Sequence, residues 1–173
     1  MSDPMRNAGK AAVLAPQAAG KSRQASTWML TACGVWLVGL GLYFIFLRPP
    51  LLPEDPRYIG TTLEQIRISV PGLEAWLRKV FTVMGGFMAG AGVLTVFVAT
   101  VAMPLRLKGA RWAIGMSGAL TVALMSATNF ALQSDFRWLL LLPALVWFAG
   151  LFTYVVNRGP PSGRHGRRFG GVN

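Results

Sequence analysis

The chain contains one histidine and one cysteine among its 173 residues, and only six acidic side chains. The single cysteine, Cys33, excludes an intramolecular disulfide. The histidine, His165, lies in the basic C-terminal tail. Metal and haem centres need sets of His, Cys or carboxylate ligands, and Ser–His chemistry needs a histidine beside its serine. We therefore expect no cofactor, no metal site and no enzyme activity from this chain alone.

Charge is also missing from four long apolar segments, residues 27–47, 80–103, 112–132 and 138–156. None of the 17 basic or six acidic side chains falls inside them. A run of about 20 apolar residues matches the ~30 Å hydrocarbon core of a bilayer. The sequence therefore predicts an all-α integral membrane protein, a bundle of four transmembrane helices at about 27–47, 79–103, 112–132 and 138–156. The lack of embedded charge argues against ion-coupled transport, including exporters of the small-multidrug type, which depend on a membrane-embedded glutamate.

The net charge of +11 is spread in alternation along the chain. Residues 1–26 carry four basic side chains and one acidic, the second connection three basic and the C-terminal tail four basic, whereas the first and third connections are nearly balanced. This alternation follows the positive-inside rule, so we expect both termini and the second connection in the cytoplasm. Because topology accounts for the charge, nucleic acid is not an expected partner. The expected location is the bacterial inner membrane, with a mitochondrial home left open.

The two ends of the chain are polar and lack a sustained apolar face. We predict that residues 1–26 and 158–173 are disordered basic cytoplasmic tails on either side of a membrane domain, residues 27–157. The first apolar run is longer than the ~7–15 residues of a signal-peptide core. We therefore expect it to be an uncleaved anchor.

The connection at 48–78 is predicted to carry a short amphipathic helix. The sequence Thr61-Thr62-Leu63-Glu64 is a capping-box pattern that indicates a helix start. Apolar residues then recur on one face, at Ile59, Leu63, Ile66 and Val70. Glu64 and Arg67 are spaced as an ion pair within that helix. We expect the helix on the outward side of the membrane, and two placements stay open: on the lipid surface, or over the mouth of the bundle.

Small residues mark the faces through which membrane helices approach closely. The second segment contains Gly85, Gly86, Ala89 and Gly90, of which Gly86 and Gly90 form a GxxxG pair; the third contains Ser117, Gly118 and Thr121. In the first segment, Gly34 and Gly41 share a side. The leading prediction is that the second helix packs against the third. Homo-dimerisation through the GxxxG pair is the alternative.

Polar residues predicted on the outward side form one candidate ligand-binding set at the mouth of the bundle: Glu54, Asp55, Arg57, Asn129 and Asp135. Carboxylate oxygens bind hard cations, and arginine pairs with a lipid phosphate. The competing interpretation is that these charges pair with one another and pin the first connection across the mouth. Asn129 has a structural interpretation of its own, a hydrogen bond near the end of the third helix.

These observations predict a non-catalytic accessory or assembly subunit of a larger membrane complex. Its expected partners are the lipid bilayer and a membrane protein or a second copy of itself. A lipid- or small-molecule-binding carrier is the alternative, and a transfer enzyme using Glu54 or Asp55 as general base ranks third. The layout resembles small bacterial four-helix membrane proteins of the DoxX-like kind in architecture and length, and no function or residue is carried over from it.

Overall fold

The computed structural model describes residues 4–156, with side chains from residue 20 onward. All regular structure in this part of the chain is helical. The α-helices are α1 (Pro4–Phe46), α2 (Glu54–Ile59), α3 (Leu63–Ser69), α4 (Leu73–Phe97), α5 (Ala110–Gly118), α6 (Leu124–Ala131) and α7 (Arg137–Val156). Two π-helical segments, Val98–Ala102 and Ala119–Ala123, continue α4 and join α5 to α6.

Four helical stretches are long and apolar enough to cross a membrane, which confirms the predicted number. We call them spans 1 to 4; they are Gly20–Phe46, Leu73–Ala102, Ala110–Ala131 and Arg137–Val156. Less than a third of the most apolar part of each span is buried, as expected where lipid replaces water as the surrounding solvent. The described protein is therefore a bundle of four apolar helices.

The ends of the spans differ from the sequence-based boundaries. Helix α1 begins at Pro4, so residues 4–26, predicted to be a disordered tail, are helical in the structure. This segment is rich in alanine, the strongest helix former. Span 2 begins at Leu73, before the basic pair at 78–79. The preceding Pro71-Gly72 pair ends the first connection, and the new helix begins directly after it. The predicted C-terminal tail, 158–173, lies outside the described residues.

Span 1 packs chiefly against span 2, and next against span 4. A Cβ added to Gly92 would lie 2.6 Å from the carbonyl oxygen of Gly34. One added to Gly41 would lie 2.6 Å from the carbonyl oxygen of Gly85. The two backbones therefore touch at two levels, which only glycine permits. The predicted packing of span 2 against span 3 is present only as a minor contact, and span 1 is the main partner of span 2.

Span 4 is fastened to its neighbours by buried polar contacts. The Ser26 hydroxyl donates to the carbonyl oxygen of Gly150 at 2.7 Å. The Trp147 indole N–H donates to the carbonyl oxygen of Ile114 at 3.2 Å. Gly118 leaves the space that this indole fills, because a Cβ there would collide with the ring. Each bond satisfies a polar group that would otherwise be costly to bury in an apolar bundle.

The connection between spans 1 and 2 holds two short helices instead of one. The Thr62 hydroxyl accepts a hydrogen bond from the Gln65 N–H at 3.2 Å, so the predicted start of α3 is confirmed. Of the predicted apolar face only Ile66 is buried. Arg67 pairs with Glu74 of span 2 at 2.7 Å, and the predicted pairing with Glu64 is wrong. That pairing joins α3 to the start of the second span.

Candidate functional site

The polar residues predicted at the bundle mouth meet at the junction of α2 with the turn before α7. Glu54 lies in the first turn of α2. One of its carboxylate oxygens accepts a hydrogen bond from the Ser134 hydroxyl at 2.9 Å, and the other accepts from the Asp135 N–H at 3.0 Å. Both oxygens thus bind the chain 80 positions away along the sequence. We call Glu54, Arg57, Ser134 and Asp135 the outer polar cluster.

Arg57 and Asp135 complete this cluster with an ion pair of 3.3 Å. Their side chains remain 65% and 70% exposed, so water screens the pair and its stabilisation is at most about 1 kcal/mol. Ser134, by contrast, is buried. Its charge-assisted bond to Glu54 is therefore the stronger link between α2 and α7. The Ser134 hydroxyl also accepts from the Phe136 N–H at 3.2 Å, which helps to start α7.

Two residues of the predicted ligand set stand apart from the cluster. Asp55 accepts a hydrogen bond from the Leu52 N–H at 2.7 Å and so holds the entry to α2. Asn129 donates to the carbonyl oxygen of Met125 at 2.9 Å, within its own helix. The structure therefore brings together Glu54, Arg57 and Asp135 of the five predicted residues. Arg57 and Asp135 pair with each other, as the competing interpretation expects, whereas Glu54 is bound by a hydroxyl and a backbone N–H.

Arg48 is a further charged residue near this cluster, one that the sequence-based set omits. Its guanidinium lies 3.6 Å from the centre of the Phe81 ring and 5.1 Å from that of Phe44, in cation–π geometry. Partial burial lowers the pKa of Arg48, while nearby Asp55, Tyr43 and Glu54 raise it. An arginine stays protonated under such a shift. The sequence contains a signal for the contact with Phe44: Arg48 follows this phenylalanine by four residues at the end of the first apolar segment.

Ser134 is the other residue that sequence reasoning missed. It lies just ahead of the fourth apolar segment, a position where serine often caps a helix. In the described part of the chain no group of three or more His, Cys, Asp or Glu side chains is placed to hold a metal ion. In this structure the outer polar cluster holds α2 against the turn before α7 through hydrogen bonds.

The predicted helix-packing residues divide between two sides of span 2. Gly85 and Ala89 face span 1, where an added Cβ on Gly41 would lie 2.9 Å from the Ala89 side chain. Nothing lies within 4 Å of a Cβ placed on Gly86 or Gly90. Gly118 packs under a tryptophan of span 4.

Two members of that predicted set bond to each other within span 3. The Thr121 hydroxyl donates to the carbonyl oxygen of Ser117 at 2.6 Å. This is the usual way for a threonine in a membrane helix to satisfy its hydroxyl. In span 2, the predicted packing residues Gly85 and Ala89 contact span 1.

No family model, curated protein or solved structure matches this chain. Two features of the described residues bear on function: polar side chains at the junction of α2 with the turn before α7 that bond to one another or to the backbone, and extensive apolar faces.

Proposed function

We propose that the protein is a non-catalytic accessory or assembly subunit of a larger complex in the bacterial inner membrane. One observation carries this proposal: both carboxylate oxygens of Glu54 are engaged by Ser134 and Asp135. A catalytic or transport site at the mouth needs such groups free for a substrate. Here they serve to hold the first connection in one conformation. A connection held in this way suits recognition of a partner, because little of its motion is lost on binding.

The first connection presents apolar side chains from this rigid base. Tyr58, Ile59 and Ile68 are 67%, 59% and 74% exposed. The Thr62 cap and the Arg67–Glu74 ion pair hold α3, which carries Ile68. The bonds of Glu54 hold α2, which carries Tyr58 and Ile59. The proposal puts α2 and α3 at the outward surface of the membrane, where these side chains meet the partner's outward-facing surface. Their burial would supply the hydrophobic part of that contact.

The proposed topology follows the charge distribution. Lys21, Arg23 and the connection carrying Arg106, Lys108 and Arg111 lie on the cytoplasmic side, and the outer polar cluster lies on the other. The spans alternate in direction, so the two short helices and the turn before α7 share the outward side. Their contact through Glu54 and Ser134 agrees with that arrangement.

A carrier that binds its ligand at the bundle mouth is supported less well. It would bind through Glu54, Arg57 and Asp135, and these side chains already bond to one another or to the neighbouring backbone. Binding a ligand there would first break those bonds.

The test is extraction in a mild detergent followed by native mass spectrometry of the intact assembly. We expect a protein partner in fixed stoichiometry, reduced by Ile68→Asn and retained in Glu64→Gln, a matched control on the same exposed helix. A bare monomer or homodimer would contradict the proposal. A small molecule bound in place of a protein, and lost in Glu54→Gln, would show the carrier to be correct.

A further inference from the structure

Span 1 carries an apolar groove on the side that faces away from the other spans. The groove is open along one side and has a volume of about 620 Å³. Among the described residues it is lined from α1 alone, by Trp28, Thr31, Ala32, Val35, Trp36, Gly39, Leu40 and Tyr43. Ala32 and Gly39 carry the smallest side chains of this lining and therefore form its floor. Nothing lies within 4 Å of a Cβ on Gly39.

The direction of the groove follows from helical geometry. Span 1 meets span 2 through Gly34 and Gly41 and span 4 through Ser26. At 100° per residue, Trp28, Val35 and Gly39 lie on the opposite side of α1. This side faces lipid when the spans cross a bilayer.

The groove is longer than one leaflet is thick. From Trp28 to Tyr43, the first and last lining residues, the helix rises about 22 Å, at 1.5 Å per residue. One leaflet contributes about 15 Å of hydrocarbon, half of the ~30 Å core. The groove can therefore hold the whole part of an acyl chain that lies in one leaflet.

A basic side chain lies in line with the groove at its N-terminal end. Lys21 and Gly39 are separated by about five full turns at 3.6 residues per turn, so they share one side of α1. Lys21 is exposed and lies roughly 9 Å beyond the apolar run that starts at residue 27. The headgroup layer of ~5–8 Å and the flexible lysine stem cover that distance. No acidic residue occurs between Asp3 and Glu54, so no carboxylate of this segment neutralises it.

We infer that the groove on span 1 holds an acyl chain of an anionic phospholipid whose headgroup is bound by Lys21. The inference goes beyond the proposed accessory role and does not depend on it. Charge favours this occupant over a zwitterionic lipid, since a basic residue near the surface attracts anionic headgroups. Shape favours it over another helix, because the projecting rings of Trp28 and Trp36 hold a second backbone away from the small residues.

The experiment uses the full chain purified in a mild detergent and exposed to an equimolar mixture of phosphatidylglycerol and phosphatidylcholine. Native mass spectrometry then counts the lipids retained by each variant. We expect one retained phosphatidylglycerol in preference to phosphatidylcholine. Lys21→Gln should lower this preference about fivefold, which corresponds to ~1 kcal/mol for one basic residue near the surface. Gly39→Leu, which fills the floor, should abolish retention, and Gly86→Leu, at an equally open glycine of span 2, should leave it unchanged.

Each other result overturns the inference. Equal retention in wild type, Lys21→Gln and Gly39→Leu would show that the lipid binds elsewhere. Loss of a dimer in Gly39→Leu would assign the groove to a second copy, and loss of a co-purifying protein would assign it to a partner helix. A lipid lost in Glu54→Gln but kept in Gly39→Leu would belong to the bundle mouth, and would count against the accessory role as well. Thermal unfolding of Gly39→Leu, expected to match wild type, separates lost binding from lost fold.

Discussion

Two glycines of span 2, two positions apart, should respond in opposite directions when each is changed to alanine. A Cβ on Gly92 would lie 2.6 Å from the carbonyl oxygen of Gly34 and 2.7 Å from the nitrogen of Val38. Both neighbours are backbone atoms of span 1, so the contact is relieved only when the helices move apart. A Cβ on Gly90 meets nothing within 4 Å. The pair therefore compares the same chemical change with and without a packed neighbour.

The expected magnitudes follow from two opposing effects. Replacing glycine by alanine inside a helix favours folding by about 0.5–1 kcal/mol. Overpacking a close contact costs about 1–3 kcal/mol. Gly90→Ala should therefore raise the free energy of unfolding by up to ~1 kcal/mol. Gly92→Ala, in which both effects act, should lower it by about 1–2 kcal/mol.

The assay is reversible unfolding in mixed micelles of mild detergent and sodium dodecyl sulfate, followed by circular dichroism. Equal losses in the two variants would refute the assignment of Gly92 to the interface between spans 1 and 2. A loss in Gly90→Ala alone would restore the sequence-based prediction that the GxxxG pair is the contact. Gly20→Ala, another open helical glycine, checks the size of the propensity gain in this protein.

Three further predictions concern span 4, the outer polar cluster and the topology. Gly118→Ala should displace the indole of Trp147, lowering the free energy of unfolding by about 1–3 kcal/mol and shifting tryptophan emission measured by fluorescence. Ser134→Ala should lower it by about 1–2 kcal/mol, because Glu54 loses a buried charge-assisted bond; amide hydrogen exchange in α2 should rise together with that loss. A cysteine placed at Ser69, in a chain without the native thiol, should react with a membrane-impermeant maleimide added to intact cells.

Each of these predictions has a matched control. Gly115→Ala should raise the free energy of unfolding by up to ~1 kcal/mol, since its added Cβ would lie 3.6 Å from the Leu151 side chain, an ordinary contact. Unchanged fluorescence in Gly118→Ala would contradict the packing of the indole. Arg57→Ala should lower the free energy of unfolding by under ~1 kcal/mol, since its ion pair is exposed. A larger decrease than in Ser134→Ala would show that the Arg57–Asp135 pair, and not the Ser134–Glu54 bond, is the stronger link. A cysteine at Lys108 should stay unlabelled until the cells are opened, and labelling of both sites in intact cells would refute the topology.

Much of the membrane architecture could be predicted from the sequence. The thickness of a bilayer sets the length of an apolar run, and the cost of burying charge keeps ionised side chains outside it. The four spans followed from that partition. The start of a helix at Thr61 or Thr62 followed from a local pattern, because a capping residue and its target lie within four positions. Such features depend on neighbours along the chain.

The boundaries were less accurate for a related reason. Helix continues into polar segments wherever propensity allows it, as in the alanine-rich part of α1, and hydropathy does not detect that continuation. The first connection was predicted to hold one amphipathic helix and holds two, since Pro56 is accommodated near the start of α2.

The candidate site was found in part. Glu54, Arg57 and Asp135 were grouped because all three were predicted on one side of the membrane, and the structure brings them together. Ser134, the buried donor in that cluster, was missed. Its acceptor, Glu54, is 80 positions away in the sequence, and only the folded chain brings the two together. Sequence spacing alone could not decide whether these residues bind a ligand or bond to one another.

The sequence by itself determined that the chain forms four apolar spans and which ends of them carry the positive charge. Both properties are set by free energies of transfer that each residue has independently of its distant neighbours. Only the tertiary structure decided which glycines touch. Gly86 and Gly90 satisfy the GxxxG spacing, yet the other side of span 2, with Gly85 and Gly92, lies against span 1. Between helices in lipid, close packing selects the contact face, and packing depends on the shape of both surfaces at once.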